Sequence, residues 1–340
     1  MDSDWQNRIE QNSRNDAWVW APVSWEWWQV IQLVLAIIGI LGNLLVMLVI
    51  FWPGRRRCAT DILIGALAAA DFLASIFFIP HRQVIQLPDT IAGELYCRII
   101  QTSVLVRISI SASIFTLTTI SIERLMAVRF PIWFQRLFSP KRISIAVIVI
   151  WIAAFIVNIQ SLYAYFVTED RQCVLSFPLA FHRFLDVCLF ILEYSLPVVV
   201  MVTSHAWTIY ILRQRQATSL RQVIKGRVLQ TLLIVIITFI ICHTPLWFSL
   251  LVFNFGDFQF THFFNLLSQC FVILRFANFC VNPFIYAARM PKFRKALKDL
   301  FMRNSIRGSR GIHSLFAGDG EGGTSDTRDT RANATETFEA

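Results

Sequence analysis

Asn282-Pro283-Phe284-Ile285-Tyr286 closes the last long apolar segment of this chain. Asn and Pro are both poor choices inside a lipid-bathed helix. A proline removes one helical hydrogen bond and kinks the segment. Lipid cannot satisfy the carbonyl so freed, so a neighbouring helix or a buried water must do it. An amide beside such a kink, at the end of a membrane span, points to a moving part rather than a plain anchor.

The rest of the sequence explains why that segment is read as a span. The chain has 340 residues, 56% hydrophobic and 16% charged, with a mean hydropathy of +0.56. A soluble domain carries about 25% charge. The surplus apolar residues gather in stretches of about 20 or more, the length that crosses a bilayer core. Seven such stretches are present: Trp28 to Trp52, Asp61 to about Val84, Cys97 to Val128, Arg142 to Phe166, His182 to Leu212, Val223 to Phe255 and His262 to Ala287. The expected fold is an all-α membrane protein, a seven-transmembrane helix bundle.

Orientation follows the Lys and Arg of the loops. One side carries Arg55, Arg56 and Arg57, then Arg129, Arg136, Lys141 and Arg142, then Arg213, Arg215, Arg221, Lys225 and Arg227. Arg289, Lys292, Arg294, Lys295 and Lys298 follow the last span on that same side. It is expected to be cytoplasmic, which places the N-terminus outside and the C-terminus inside. The formal net charge of +9 then reads as topology and attraction to anionic inner-leaflet lipid. No nucleic-acid partner is needed to explain it.

Residues 1–27 are expected to form an extracellular segment, and 28–287 the seven-span domain. Trp18, Trp20, Trp25, Trp27 and Trp28 crowd the start of span one, as in an interfacial aromatic belt. No apolar h-region precedes that span, so it is expected to act as an uncleaved signal. Pro291 breaks the chain after span seven. Phe293, Ala296, Leu297, Leu300 and Phe301 then line one face of an amphipathic membrane-surface helix expected over 291–302. The tail over 303–340, rich in Gly, Ser, Thr and acids, is expected to be disordered and cytoplasmic. Its Ser325, Thr327 and Thr330 are candidate phosphorylation sites.

An ionisable residue at membrane depth is a functional hypothesis by default. Asp71 sits near the middle of span two, Glu123 and Arg124 at the cytoplasmic end of span three, Glu193 in span five and Arg275 in span seven. Arg107 lies about 9 Å above Ser113 at 1.5 Å per residue. Asn43, Asn278 and Asn282 add amides. Two readings of Asp71 stand equally: a carboxylate holding a cation with oxygens from other spans, or a protonated acid in a hydrogen-bond network. Arg107, Glu193 and Arg275 leave a surplus positive charge, which is costly if buried and suits an anionic group on a ligand. The plainer alternative has Glu193 neutralising an arginine across the bundle. Of seven cysteines, only Cys97 and Cys173 face the expected outer side. That compartment permits a disulfide; two unpaired thiols are the alternative.

Taken together, these residues resemble the rhodopsin-like (class A) G-protein-coupled receptors, over about residues 30 to 301, and within them the neuropeptide type. Gly42-Asn43 matches span one and Leu67 to Asp71 span two. Glu123-Arg124-Leu125 stands where the family has Asp/Glu-Arg-Tyr, followed by Pro131. Trp151, Pro197, then Phe239, Cys242 and Pro245, then Asn282 to Tyr286 match spans four to seven. The resemblance implies a Cys97–Cys173 disulfide. It also implies a sodium pocket of Asp71, Ser113, Asn278 and Asn282. The activation core would comprise Ile114, Pro197, Phe239, His243, Pro245, Asn282 and Pro283, with G-protein coupling through Glu123, Arg124 and Tyr286. The implied activity is population shift by an extracellular ligand, with no bond made or broken. No catalytic residues and no cofactor are expected beyond an allosteric sodium ion. Partners implied are a peptide ligand held by Arg107, Glu193 and Arg275, a heterotrimeric G protein, the bilayer, and a receptor kinase and arrestin at the tail.

The sequence departs from that pattern in places. His243 replaces the usual Trp, His205 the usual span-five Tyr, and Leu125 the Tyr after Arg124. Lys225 stands where some members have an acid facing Arg124. The interval from Cys97 to Arg124 is about two residues longer than usual, which predicts a bulge at the top of span three. An amine receptor needs an acid high in span three, and an opsin needs a span-seven Lys; neither is present. A receptor for a non-amine, anionic small molecule is the alternative to a peptide receptor. A transporter is more remote, since no inverted repeat with broken helices is visible. The loop from Tyr163 to Phe177 alternates as a hairpin would.

Overall fold

The computed structural model describes residues 17–22, 24–52, 58–214, 220–256, 262–290 and 293–298, with side chains from Leu229 onward in the helix that begins at Leu220. Arg55–Arg57, the side chain of Lys225, Pro291, Leu300, Phe301 and the tail residues Ser325, Thr327 and Thr330 lie outside the described residues. Seven helical segments are long and apolar enough to cross a membrane: Trp27–Phe51, Ala59–Phe77, Ile91–Arg129, Pro140–Leu162, Leu179–Gln214, Leu229–Phe255 and His262–Arg289. These are spans one to seven of a multi-pass membrane protein. Span three packs against spans two, four and five; span seven packs against spans one and six. Small side chains permit close approach, with Ala70, Ala112 and Ala154 meeting beside Ile150 where spans two, three and four converge. Val30, Ile31, Val34, Ile37, Ile38 and Leu41 leave span one with an exposed apolar face, as lipid contact requires.

Two span boundaries differ from expectation. Span two stops at Phe77, well short of Val84, because the residue before Pro80 is pushed out of the helical region. Val84–Gln86 is instead a strand, antiparallel to Val19–Trp20. The helix of span four ends at Asn158 and a 3₁₀ turn at Leu162. Tyr165–Val167 beyond it pairs antiparallel with Cys173–Leu175, the expected hairpin. Short apolar runs do not distinguish strand from helix by periodicity.

The tryptophans divide. Trp27 and Trp28 begin span one. Trp18 and Trp20 stack on each other at 5.6 Å and meet the edge of Tyr96 at 5.3 and 6.4 Å. Arg82 lies over Trp20 and donates from Nε to the Ala21 carbonyl at 2.9 Å. This pair packs against the loops rather than joining an aromatic belt. Residues 293–298 are helical, with Phe293 buried.

The prolines show how the helices bend. Pro283 frees the carbonyl of Phe279, four residues earlier. Asn43 Nδ2 of span one donates to that carbonyl at 2.9 Å and to the Gly39 carbonyl at 2.9 Å. The neighbouring-helix partner demanded by the sequence is therefore Asn43. Gly42 lets it come close: a Cβ there would stand 3.0 Å from the Pro283 ring. In span five, Pro197 follows a π-helical turn over Ile191–Ser195, a usual response to a lost helical bond. In span three, Tyr96–Gln101 is also π-helical and Ser103 is left-handed at φ 52. Those irregular turns take up the extra length between Cys97 and Arg124.

Candidate functional site

Polar side chains occupy three depths of the bundle. At the end of span three farthest from the disulfide, Glu123 is fully buried and Arg124 partly so. Arg124 donates to Glu123 Oε2 from Nε and, at 2.7 Å, to Oε1 from Nη2. Thr60, in the first turn of span two, donates to Glu123 Oε1 at 2.9 Å and accepts from Arg124 Nη2. Both charges of the pair are thus latched to span two. Thr60 carried no signal in the sequence, because a hydroxyl in a first helical turn is ordinary.

At middle depth, Asp71 is buried. Ser113 Oγ donates to its Oδ1 at 2.6 Å and Asn282 Nδ2 to its Oδ2 at 2.8 Å. Asn278 lies one turn before Asn282, on the same face. Its Oδ1 and that of Asn282 are buried without a hydrogen-bond partner. Spans two, three and seven therefore bring together Asp71, Ser113 and Asn282, three of the four residues of the expected sodium pocket, with Asn278 one turn away on the same helix. Their orphaned oxygens are hard donors, the kind a small hard cation prefers.

Above Asp71, on the disulfide side, aromatic rings fill the core. Phe239 lies tilted against His243 at 4.2 Å, and His243 meets the edge of Phe279 at 6.2 Å. Ile114, Phe239 and His243 are buried, as is Pro197, and Pro245 lies inside the span-six helix. His243 Nδ1 lies 3.0 Å from the Phe239 carbonyl, a bond along its own helix that a Trp could not make. His205 Nε2 and the Tyr286 hydroxyl are each buried without a partner.

The three residues expected to hold a ligand are not gathered into one ionic cluster. Glu193 Oε1 accepts from Ser111 and, at 3.1 Å, from Asn158 Nδ2. Asn158 also donates to Ser111 Oγ at 2.8 Å. This buried triad joins spans three, four and five. The π-turn that answers Pro197 carries Glu193 into it. Arg107 reaches Ser161 Oγ at 3.4 Å, beside a cavity of about 120 Å³ that His182 and Asp186 also line. Arg275 sits against Trp247 of span six. No ion pair within 4.0 Å links Glu193 to either arginine among the described residues, although the Glu193 charge still acts on Arg275 through space. Two neutral donors satisfy Glu193 instead. Asn158 was legible in principle, being an amide inside an apolar span.

Cys97 and Cys173 are bonded, with Cα atoms 5.7 Å apart. The bond joins the π-turn of span three to the second strand of the hairpin.

A bundle with polar latches at two depths, and prolines that let its helices hinge, is that of a seven-transmembrane receptor. The chain belongs to the 7 transmembrane receptor (rhodopsin family), whose profile matches residues 42–286. It is 30% identical to galanin receptor 2b of Danio rerio, over 78% of this chain and 72% of that protein. It is 29% identical to galanin receptor type 2 of Mus musculus, over 84% and 80%. Allatostatin-A receptor of Bombyx mori is 26% identical, over 78% and 76%.

Proposed function

We propose that this protein is a plasma-membrane receptor for an extracellular neuropeptide, with its N-terminus outside and its C-terminus cytoplasmic. It activates a heterotrimeric G protein and catalyses no reaction of its own. The observation that carries this reading is the Glu123–Arg124–Thr60 latch in a chain of this family, whose galanin and allatostatin-A relatives are named for peptides. The ligand acts by preferring one packing of the bundle, and its differential affinity sets how far the equilibrium moves. A receptor kinase and arrestin act at the tail in this reading.

The test uses purified protein in lipid nanodiscs with a G-protein heterotrimer. Galanin or allatostatin-A peptide is expected to accelerate guanine-nucleotide exchange. Absence of stimulated exchange, across a panel of G proteins and both peptide types, overturns the peptide reading.

Asp71, Ser113, Asn278 and Asn282 hold a sodium ion in the resting state of this proposal. Bound there, the ion neutralises the buried carboxylate, while Ser113 and Asn282 keep that carboxylate oriented. Sodium and agonist then oppose each other reciprocally. Peptide affinity is expected to fall at least about 5-fold when sodium replaces choline at constant ionic strength, a typical coupling. Asp71→Asn should abolish that dependence. Equal sodium sensitivity in both proteins would leave the four residues a plain hydrogen-bond network.

A further inference from the structure

Two buried N–H donors lie on neighbouring side chains of the bundle, and among the described residues nothing receives their protons. Arg275 Nε of span seven and Trp247 Nε1 of span six are both buried without a hydrogen-bond partner. The two side chains touch, the Arg275 Cζ lying 5.8 Å from the centre of the Trp247 ring. Arg275 forms no ion pair among the described residues, where the ion pairs are Arg98–Glu94, Arg124–Glu123 and His182–Asp186. Glu193, the acid nearest in depth by sequence, is occupied by Ser111 and Asn158. The Trp247 ring is braced from the other side by Phe190 at 5.9 Å. Arg275 keeps part of its surface exposed.

An enclosed donor without an acceptor is destabilising, and more so when it belongs to a cation with no carboxylate in contact. A receptor that tolerates both at one place is arranged for an acceptor that arrives from outside. The acceptor must be anionic, because one donor is a guanidinium, and flat, because a planar fork matches a carboxylate. The ring face beside it holds the guanidinium against rotation.

We propose that Arg275 and Trp247 form the anchor for a carboxylate of the ligand, either an acidic side chain or the free C-terminus of a peptide. One carboxylate oxygen accepts from Arg275 Nε–H and the other from Trp247 Nε1–H. Arg107 and Glu193 make their hydrogen bonds elsewhere and act on Arg275 only through space. The inference rests on the receptor reading above and names the chemistry its ligand must bring.

The test has two arms. In the first, galanin and allatostatin-A peptides are each made with every carboxyl group free and with every one amidated. They are applied to cells carrying wild type, Arg275→Gln, Arg275→Lys or Trp247→Phe at matched surface levels, with G-protein activation as readout. Wild type is expected to favour the acid form by roughly 10- to 100-fold, the worth of a charge-assisted bond. In Arg275→Gln that preference disappears. Trp247→Phe keeps the ring and loses the donor, so the preference shrinks several-fold. Arg275→Lys keeps a charge without the fork, so a partial preference remains, and it serves where Arg275→Gln fails to reach the surface.

The second arm needs no agonist. Purified protein is melted in rising benzoate or benzamide, and only benzoate is expected to stabilise wild type, with no effect on Arg275→Gln. Equal potency of acid and amide forms on wild type overturns the anchor and leaves the receptor reading intact. Full acid preference in Arg275→Gln or Arg275→Lys overturns it too. Benzoate stabilisation without any peptide response would instead support the anchor and sink the peptide reading.

Discussion

Arg124→Ala is expected to abolish stimulated guanine-nucleotide exchange while peptide affinity, compared at matched surface level, stays within about 3-fold of wild type, the scatter of near-neutral substitutions. The reason lies in how its charge is held. Glu123 is fully buried and accepts from Arg124 and Thr60. Arg124 is the more exposed member, latched both to its neighbour and to span two. In the proposed coupling, opening the bundle at this end would free its guanidinium for a G protein, and an alanine offers nothing there.

Glu123→Gln is the complementary experiment, because it keeps the shape but removes the charge and turns one of the two accepting oxygens into an N–H donor. Breaking a buried ion pair by neutralising one member costs about 3–5 kcal/mol, and each 1.4 kcal/mol is roughly a factor of ten in population. A receptor resting at about 1% active would then become substantially active without ligand. Basal exchange by purified Glu123→Gln, compared with wild type, measures this directly. Thr60→Val should move basal activity the same way by a smaller step. Were Arg124→Ala to couple normally at equal surface level, the latch would be an interfacial ion pair and nothing more.

What the sequence could show follows from how each signal arises. Length and hydropathy suffice for seven spans, because a bilayer imposes one thickness on every helix. The Asn-Pro of span seven predicted that another helix or a buried water must serve a freed carbonyl, and Asn43 of span one does so at 2.9 Å. The extra residues before Arg124 predicted a bulge, and the π-turn over Tyr96–Gln101 is that bulge. Each of these rests on a rule within one segment. The misses are all between segments. Nothing local in Val84–Gln86 says that it pairs with Val19–Trp20. Thr60 is one hydroxyl among many until span three lies beside it. Glu193 and the two arginines suggested an ion cluster by charge alone, yet the π-turn delivers Glu193 to Ser111 and Asn158. Charge identifies which residues need partners, and helix rotation decides which partners they get.

Breaking the Cys97–Cys173 bond is expected to reduce surface expression and peptide binding severely. The bond closes a separation of 76 residues, for which chain-entropy reasoning gives about 4.5 kcal/mol. Spans three and four remain helical in the membrane even when unpacked, so the constrained ensemble is smaller and the loss should lie nearer 2 kcal/mol, the low end of the usual range. That is still a large part of a typical stability. The function loss should exceed the stability loss, because Cys173 begins the strand that pairs with Tyr165–Val167. Its hairpin also bears Arg171, which binds the Leu87 carbonyl through Nε at 2.6 Å and reaches the Ala17 carbonyl. Releasing the hairpin therefore loosens the strand pair at Val19–Trp20 as well. Cys97→Ala, Cys173→Ala and the double substitution should be equally impaired, since each removes the same single bond and the effects cannot add. Surface level, peptide affinity and melting of the solubilised protein check this together. A double substitution that costs the sum of the two single ones, or thiol reagents that label both cysteines in the intact receptor, would show that the two act apart.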